Sequence, residues 1–447
     1  MGDDDGESKR PTEAQKFRGL RWSVGSEAFG SSYGVLALGT VFVLYLNELG
    51  LSKQQIGLIN GLIFLPGPIA LFIAPYIARF GFKRTLILFY GARKFVAACL
   101  LFTPGVLVAY GQSAAFVFVL VVMGFYGLFR VIAETAFYPW IHEFVPNSVR
   151  GQYMAVSNII GTLMGMVAVA WSSYVVGAGT GIDRFQVVIG VGCVLGIIGV
   201  MLKTKIPGGA PQLERIDSRS YFRQMRAAFG DPGFRRFLIG LGIVGLASGG
   251  WGTFVPLYLK EAVGLKPGVV VGLHNWTLAG TLISSYVWGF TADRKGSKPV
   301  LLAGLLLMVL VSLGWITLPR EEADSVFWAR ILALFSGAAM MGYSLGNERL
   351  LFVSAVPAEK KTEYMAVFYT FTQIMMALSP FVAGWMLLAS QNVAGSVSGI
   401  VVDQYALYFA SSLFLMLLGL WVFIGVRDSR KDQSFGKGEA VGTARNS

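Results

Sequence analysis

Arg130 and Glu134 lie four residues apart within an apolar stretch, so on a helix they share a face one turn apart. A charge in hydrocarbon is costly unless it is paired or lines a cavity, which makes an arginine beside a carboxylate a candidate proton-coupling pair. The plainer reading is a static ion pair closing one end of a helix bundle. Glu27, at a similar depth in the first apolar stretch, either joins that pair or reaches toward the aqueous face. Glu348 and Arg349 end another stretch, where snorkelling or gate closure fits better than solute contact. Asn60 and Asn275 each follow a glycine by three residues, which puts small and polar side chains on one face, a pattern of close helix packing. His274 precedes Asn275. Histidine changes charge readily near neutral pH, so a solute or proton role stands beside the packing one. Tyr33, Trp251 and Tyr343 complete the set as cavity-lining aromatics.

The elements that position these residues are membrane helices. Hydrophobic residues make up 54 % of the 447 and charged residues 14 %, against about a quarter charged in a soluble chain. Apolar runs of about 20 residues or more can cross ~30 Å of hydrocarbon as helices. They recur at 24–47, 53–78, 85–109, 114–141, 151–176, 186–203, 236–259, 267–291, 299–318, 325–350, 362–389 and 404–425. The pattern predicts an all-α membrane protein with twelve transmembrane helices. Ser52 with Gln55 forms a capping box before the second run. Asp231-Pro232 and Lys266-Pro267 are start signals before the seventh and eighth.

Charge sets the orientation. Of 37 Lys and Arg residues, 27 fall before the first run, after the last, or in alternate loops and the run ends that border them. The intervening loops and the run ends beside them hold six: Lys53, Arg184, Lys260, Lys266, Arg320 and Arg330. The positive-inside rule then puts both termini and the central loop in the cytoplasm. The net charge of +12 is therefore topological, helped by anionic lipid, and gives no reason to expect a nucleic-acid partner. The first 21 residues lack the apolar core of a signal peptide, so the first run is expected to be retained. Gly2 lacks the downstream Ser or Thr of a myristoylation signal. The polar tail from Asp428 is expected to be disordered. Cys99 and Cys193 both fall inside apolar runs, as buried free thiols.

The chain also repeats itself. Gly39-Thr40, Leu44-Tyr45-Leu46 and Glu48 return 213 residues later as Gly252-Thr253, Leu257-Tyr258-Leu259 and Glu261. Gly57-Leu58-Ile59-Asn60 is answered by Gly272-Leu273-His274-Asn275. Val145-Pro146 with Tyr153-Met154-Ala155-Val156 is answered by Val356-Pro357 with Tyr364-Met365-Ala366-Val367. Two related halves are thus expected around a central pathway. The boundaries predicted are a tail at 1–21, a first bundle at 22–203, a linker at 204–235, a second bundle at 236–426 and a tail at 427–447. In the linker, Tyr221, Phe222, Met225 and Phe229 oppose Arg219, Arg223 and Arg226, as in an interfacial amphipathic helix.

The loop after the eighth run reads Gly289-Phe290-Thr291-Ala292-Asp293-Arg294-Lys295-Gly296-Ser297-Lys298. It resembles the signature of the major facilitator superfamily: a Gly, then Asp-Arg, a second Gly and a final basic residue between the second and third helices of a half. The first half has Ala78-Arg79-Phe80-Gly81-Phe82-Lys83-Arg84, which keeps the Arg, the Gly and the basic end but has Ala78 in place of the Asp. The resemblance covers residues 22–426. It implies two pseudo-symmetric six-helix bundles with rocker-switch alternating access around a cleft. Arg79, Lys83, Gly289, Asp293, Arg294 and Lys298 would then bias that motion, the Asp-Arg pair bonding to helix ends when the cytoplasmic side closes. The absent acid at Ala78 weakens this latch in the first half, and a purely topological role is the alternative for all these cations. Members of the family often carry Arg followed four residues later by Gly near Arg130; here Glu134 replaces that Gly. The third helix lies outside the cleft in this family, so Arg93 and Lys94 are expected to meet lipid headgroups or pair within a bundle.

These readings point to a secondary active transporter of a small polar or organic solute, proton-coupled and monomeric, in a bacterial inner membrane. Its partners are the solute, the proton and membrane lipid; no cofactor is called for. A drug–proton efflux antiporter is the alternative, though the fifth run, 151–176, lacks the Gly-Pro of that class. A non-transporting receptor or assembly factor on the same scaffold is the third. Enzyme-like strings carry little weight. Gly30-Ser31-Ser32-Tyr33-Gly34 and Gly240-Leu241-Gly242-Ile243-Val244-Gly245 both fall inside apolar helices with no strand before them.

Overall fold

The computed structural model describes residues 12–211, 229–320, 324–351, 361–397 and 400–426. Helix α1 (Glu13–Leu38) starts well ahead of the first apolar run, because Thr12 and Gln15 close a capping box there. It breaks at Gly39 and continues as α2 (Thr40–Glu48). The second run is not one helix. Helix α3 (Lys53–Leu62) starts on the expected Ser52–Gln55 capping box and ends before Pro66-Gly67-Pro68. Proline has no amide donor, so the ladder cannot run through. Helix α4 (Ala70–Phe80) resumes after a 3-10 turn at Gly67–Ile69.

Helices α5 (Phe82–Ala98) and α6 (Thr103–Phe144) follow. Gly111, in the break expected between the third and fourth runs, interrupts α6 with φ 82° and ψ 178°. Then come α7 (Arg150–Ala178), α8 (Asp183–Lys203), α9 (Pro232–Ser248), α10 (Trp251–Glu261) and α11 (Pro267–Lys295). Asp231 caps α9 by accepting from the amides of Gly233 and Phe234. The last helices are α12 (Ser297–Thr317), α13 (Ser325–Leu350), α14 (Lys361–Ala389) and α15 (Gln404–Ile424). The all-α expectation needs one amendment. Strands β1 (Ala394–Val397) and β2 (Ile400–Asp403) pair antiparallel between α14 and α15. Asp403 closes that hairpin, accepting from the Ala406 amide at 2.8 Å and pairing with Arg320 at 2.8 Å.

Ten helical stretches among the described residues are long and apolar enough to cross a membrane, so the protein is an integral, multi-pass membrane protein. One of them, Phe82–Phe144, has 63 residues, about three times what a single crossing needs. Helix α11 is not among the ten; His274, Asn275 and its Thr and Ser residues dilute its hydropathy.

The chain forms two compact units. The first takes in residues 1–216, 251–275 and 380–388, and the second 217–250, 276–379 and 389–447. In the first, Phe82, Leu86, Trp140, Phe144 and Ile206 belong to one buried cluster. The indole of Trp140 donates to the Pro207 carbonyl at 3.0 Å, which anchors the start of the linker. The amphipathic segment expected at Arg219–Arg226 lies outside the described residues. In the second unit, Phe237 packs on Phe368 and Phe423. The repeat recurs in the contacts. Tyr153 bonds Ser23 on α1 at 2.6 Å, and its counterpart Tyr364 donates to Asp231, the cap of α9, at 3.2 Å. Each half thus ties the same tyrosine to its own first helix.

Candidate functional site: a charged cluster in the first unit

Helix α6 carries Arg130 and Glu134 on one face, and they pair as expected, Arg130 Nε donating to Glu134 Oε1 at 2.8 Å. The break in the second run gives Arg130 a further acceptor. With Pro66 and Pro68 lacking amide protons and Gly67 N–H bonded to the Phe64 carbonyl, the Ile63 carbonyl accepts from Arg130 Nη1 at 3.2 Å. The guanidinium also lies over the Phe64 ring, 4.6 Å from its centroid.

Glu134 has a second cation. Arg93 on α5 places Nη1 3.6 Å from the same Oε1. The arginine side chains are 9 % and 14 % exposed and the glutamate 40 %. Two desolvated guanidiniums therefore hold one carboxylate that solvent or lipid can reach. Of the two alternatives for Arg93, the structure selects pairing within a half and excludes headgroup contact.

Next to Arg93, Lys94 is fully buried, and its Nζ has no hydrogen-bond partner among the described residues. It sits 3.1 Å from the Tyr33 ring centroid and 4.4 Å from that of Tyr90. Tyr90 also receives Arg93 at 4.1 Å and Lys203, the last residue of α8, at 5.3 Å. Three cations thus converge on one ring. A desolvated cation–π contact contributes about 2 kcal/mol at best, while burying an ammonium costs several. The rings offset only part of that cost. Glu27 on α1 is within electrostatic reach of Lys94 and Lys203 but makes no direct ion pair among the described residues. Glu27 therefore lies near the cluster without pairing in it. Gly196 on α8 makes the space: a Cβ there would stand 2.9 Å from Tyr33 Cδ2 and 3.0 Å from Lys94 Cδ.

Other expected site residues are placed apart from this cluster. Asn60 is buried and donates to the Ile56 carbonyl one turn back at 2.9 Å, which leaves packing as its visible role. Its neighbour Gly57 abuts the Pro380 carbonyl so closely that any Cβ would collide with it. His274 is half-buried, and Asn275 keeps a buried amide oxygen without a partner among the described residues. Tyr33 stacks on Lys94 with its hydroxyl unpartnered; Trp251 is buried, and Tyr343 packs beside Phe423 with its hydroxyl unpartnered. Ser32 bonds back to the Ala28 carbonyl at 3.0 Å, as a helix-interior hydroxyl does. Cys193 is buried, but Cys99 is half-exposed rather than buried as expected; both are free thiols.

The two signature loops differ. Asp293 pairs with Arg349 at 2.8 Å, joining two residues expected to act in gating. Lys298 caps the end of α15, donating to the carbonyls of Ile424 at 2.7 Å and Val426 at 2.8 Å. Arg294 lies over the Phe290 ring at 4.1 Å, Glu348 is exposed, and a Cβ on Gly289 would meet open space. In the first half, Lys83 donates to the Ile206 carbonyl at 2.6 Å, and Arg79 is exposed.

One constellation escaped the sequence reading. Glu48 pairs with Lys260 at 3.1 Å and with Arg184 at 3.8 Å, while Glu261 pairs with Lys53 at 3.0 Å. Asn47 donates to Glu261 at 2.9 Å and accepts from Lys260 at 2.6 Å. The signal was present: the two glutamates end the repeated motif, and Lys53, Arg184 and Lys260 are among the six cations of the poorly charged side. Lys203, Arg93 and Lys94 were visible as charges, but nothing in their spacing placed them around Tyr90.

Comparison with known proteins agrees with this architecture. The sequence model described as Major Facilitator Superfamily matches residues 28–380 and 268–443. A proline/betaine transporter of Escherichia coli K12 is 20 % identical over 299 residues, covering 60 % of this chain and 58 % of its own length. The chain thus spans less than two thirds of that relative. A variant of the nucleoside transporter NupG superposes with a TM-score of 0.70 at 14 % identity, covering 92 % of this chain and 99 % of that one. A D-xylose–proton symporter gives 0.68 at 16 %, covering 94 % and 99 %. At such identities the two structures establish the fold alone.

Proposed function

The chain belongs to the major facilitator superfamily, and we propose on that footing that it is a secondary active transporter of a small polar or organic solute. It works by alternating access, with a proton coupled through Glu134. The observation that carries the coupling is a carboxylate 40 % exposed yet held by two nearly buried arginines. Protonation removes the charge that Arg93 and Arg130 share, so solute, proton and cluster geometry respond to one another. Twelve crossings follow if the 63-residue stretch broken at Gly111 supplies two and α11 supplies one more. They divide into bundles at 22–203 and 236–426, joined by the linker 204–235, with the tails 1–21 and 427–447 in the cytoplasm of a bacterial cell. In this reading Arg79, Lys83, Asp293, Arg294, Lys298 and Arg349 serve the cytoplasmic end of the motion, and the Glu48–Lys260 network the opposite end.

The test uses purified protein in liposomes loaded with a pH dye and challenged with sugars, organic acids, amino acids and cationic drugs. Solute-dependent proton flux that Glu134→Gln abolishes supports the reading. Solute movement with no proton flux, unchanged in the variant, removes Glu134 from the coupling role.

A further inference from the structure

The Glu134 carboxylate occupies a site built for an anion. Arg93 and Arg130 come from different helices, α5 and α6, and converge on one oxygen, Glu134 Oε1, at 3.6 and 2.8 Å. Both guanidiniums are nearly buried, whereas the carboxylate is the exposed member. A structural ion pair needs only one arginine. A second, drawn from another helix, brings two planar donor groups to one anionic oxygen as a cradle, and planar guanidiniums suit a carboxylate or phosphate.

The charge around the cradle points the same way. Facing this region are Arg93 and Lys94 on α5, Arg130 and Glu134 on α6, Lys203 on α8, and Glu27 and Tyr33 on α1. Four basic side chains stand against two carboxylates, and the two arginines among them keep their charge. Lys94 Nζ is fully buried with no hydrogen-bond partner among the described residues, so it is one more donor that an arriving anion could use. Fixed guanidinium charge in a low-dielectric setting attracts an anion.

We infer that the transported solute is an organic oxyanion, and that its carboxylate or phosphate binds Arg93 and Arg130 in the place the Glu134 carboxylate now fills. Glu134 is a resident stand-in for the ligand. The solute anion and the Glu134 carboxylate compete for the same two guanidiniums, and a proton on Glu134 releases them to the solute. One anion enters the cradle and one proton neutralises the carboxylate it displaces, so the net charge is unchanged. Solute and proton therefore bind together. This inference rests on the transport reading above and names its substrate class.

The experiment is isothermal titration of the full-length protein in detergent with three matched pairs: succinate and succinamide, benzoate and benzamide, glucose 6-phosphate and glucose. Each titration is run in two buffers of different ionisation heat, so that proton uptake is read directly. At least one oxyanion is expected to bind about tenfold or more tighter than its uncharged partner, the scale set by charge-assisted hydrogen bonds. About one proton should be taken up per anion. Glu134→Gln should tighten anion binding several-fold and abolish the proton uptake, because the stand-in charge is gone. Arg93→Gln and Arg130→Gln should lose binding, and Arg130→Lys should keep part of it; thermal melting of each variant separates lost binding from lost fold. Equal binding of charged and uncharged partners, no binding of any oxyanion, or a Glu134→Gln variant with unaltered affinity and proton uptake overturns the inference. Anion binding without liposome uptake would spare this site and remove the transport reading. Proton-coupled uptake of uncharged solutes alone would do the reverse.

Discussion

Lys260 donates a 2.6 Å hydrogen bond to the Asn47 side chain, and the two residues are 213 positions apart, the period of the internal repeat. Each is therefore the other's counterpart. A residue that touches its own copy lies at the local two-fold relating the copies, as in an isologous interface. The crosswise pairs Glu48–Lys260 and Lys53–Glu261 flank that point. Single pairs this exposed contribute about 1 kcal/mol or less. A network of weak pairs is suited to a contact that forms and breaks repeatedly.

That contact is expected to open during transport. With Cys99 and Cys193 replaced, Asn47→Cys/Lys260→Cys should cross-link on oxidation, stop uptake, and recover when reduced. Full uptake from the fully cross-linked protein would show that this end stays shut throughout the cycle.

Gly196 is expected to be intolerant of any side chain. Gly196→Ala presses a methyl group against Tyr33 and Lys94, an overpacking that costs about 1–3 kcal/mol. A lowered melting temperature in detergent checks it, and a melt matching wild type would mean that the tyrosine and lysine give way freely.

Gly57 and Asn60 share a helix face but should behave differently. Gly57→Ala drives a Cβ into the Pro380 carbonyl and is expected to destabilise the protein strongly. Asn60→Ala loses a bond only to its own helix, at Ile56, and should melt within about 1 kcal/mol of wild type with uptake retained. Loss of uptake by well-folded Asn60→Ala would return Asn60 to the solute pathway.

Orientation is open to direct labelling. A cysteine at Asn392, exposed beside the β-hairpin, should react with a membrane-impermeant maleimide on intact cells. One at Arg79, exposed on the cation-rich side, should react only after permeabilisation. The reverse pattern would invert the topology inferred from charge.

Much of the scaffold is written locally, and local signals need no partner to act. Ser52 with Gln55 and Asp231 with Pro232 start the helices they were expected to start, and Gly111 breaks the chain where the fourth run was expected to begin. Mean hydropathy follows from side-chain transfer energies, and the repeat from residue identity, so both survive without coordinates. The Arg130–Glu134 pair was equally legible, since four residues on a helix make one turn. Even the break at Pro66-Gly67-Pro68 was spelled in the residues, although its consequence, an Ile63 carbonyl left for Arg130, was not.

Tertiary structure alone decided which charges meet. Arg93 and Glu134 are 41 positions apart, and Lys94 and Lys203 109, and no periodicity carries information over such distances. Whether Lys94 faces lipid or a tyrosine cage depends on how α1, α5 and α8 are rotated against one another. That rotation is fixed by small contacts such as Gly196 against Tyr33. The sequence determined a membrane-spanning, internally duplicated chain because those properties sum over residues. The packing decided that Arg93 and Arg130 share Glu134 and that Arg93, Lys94 and Lys203 gather on the Tyr90 ring, because the energy of a charge depends on its neighbours in space.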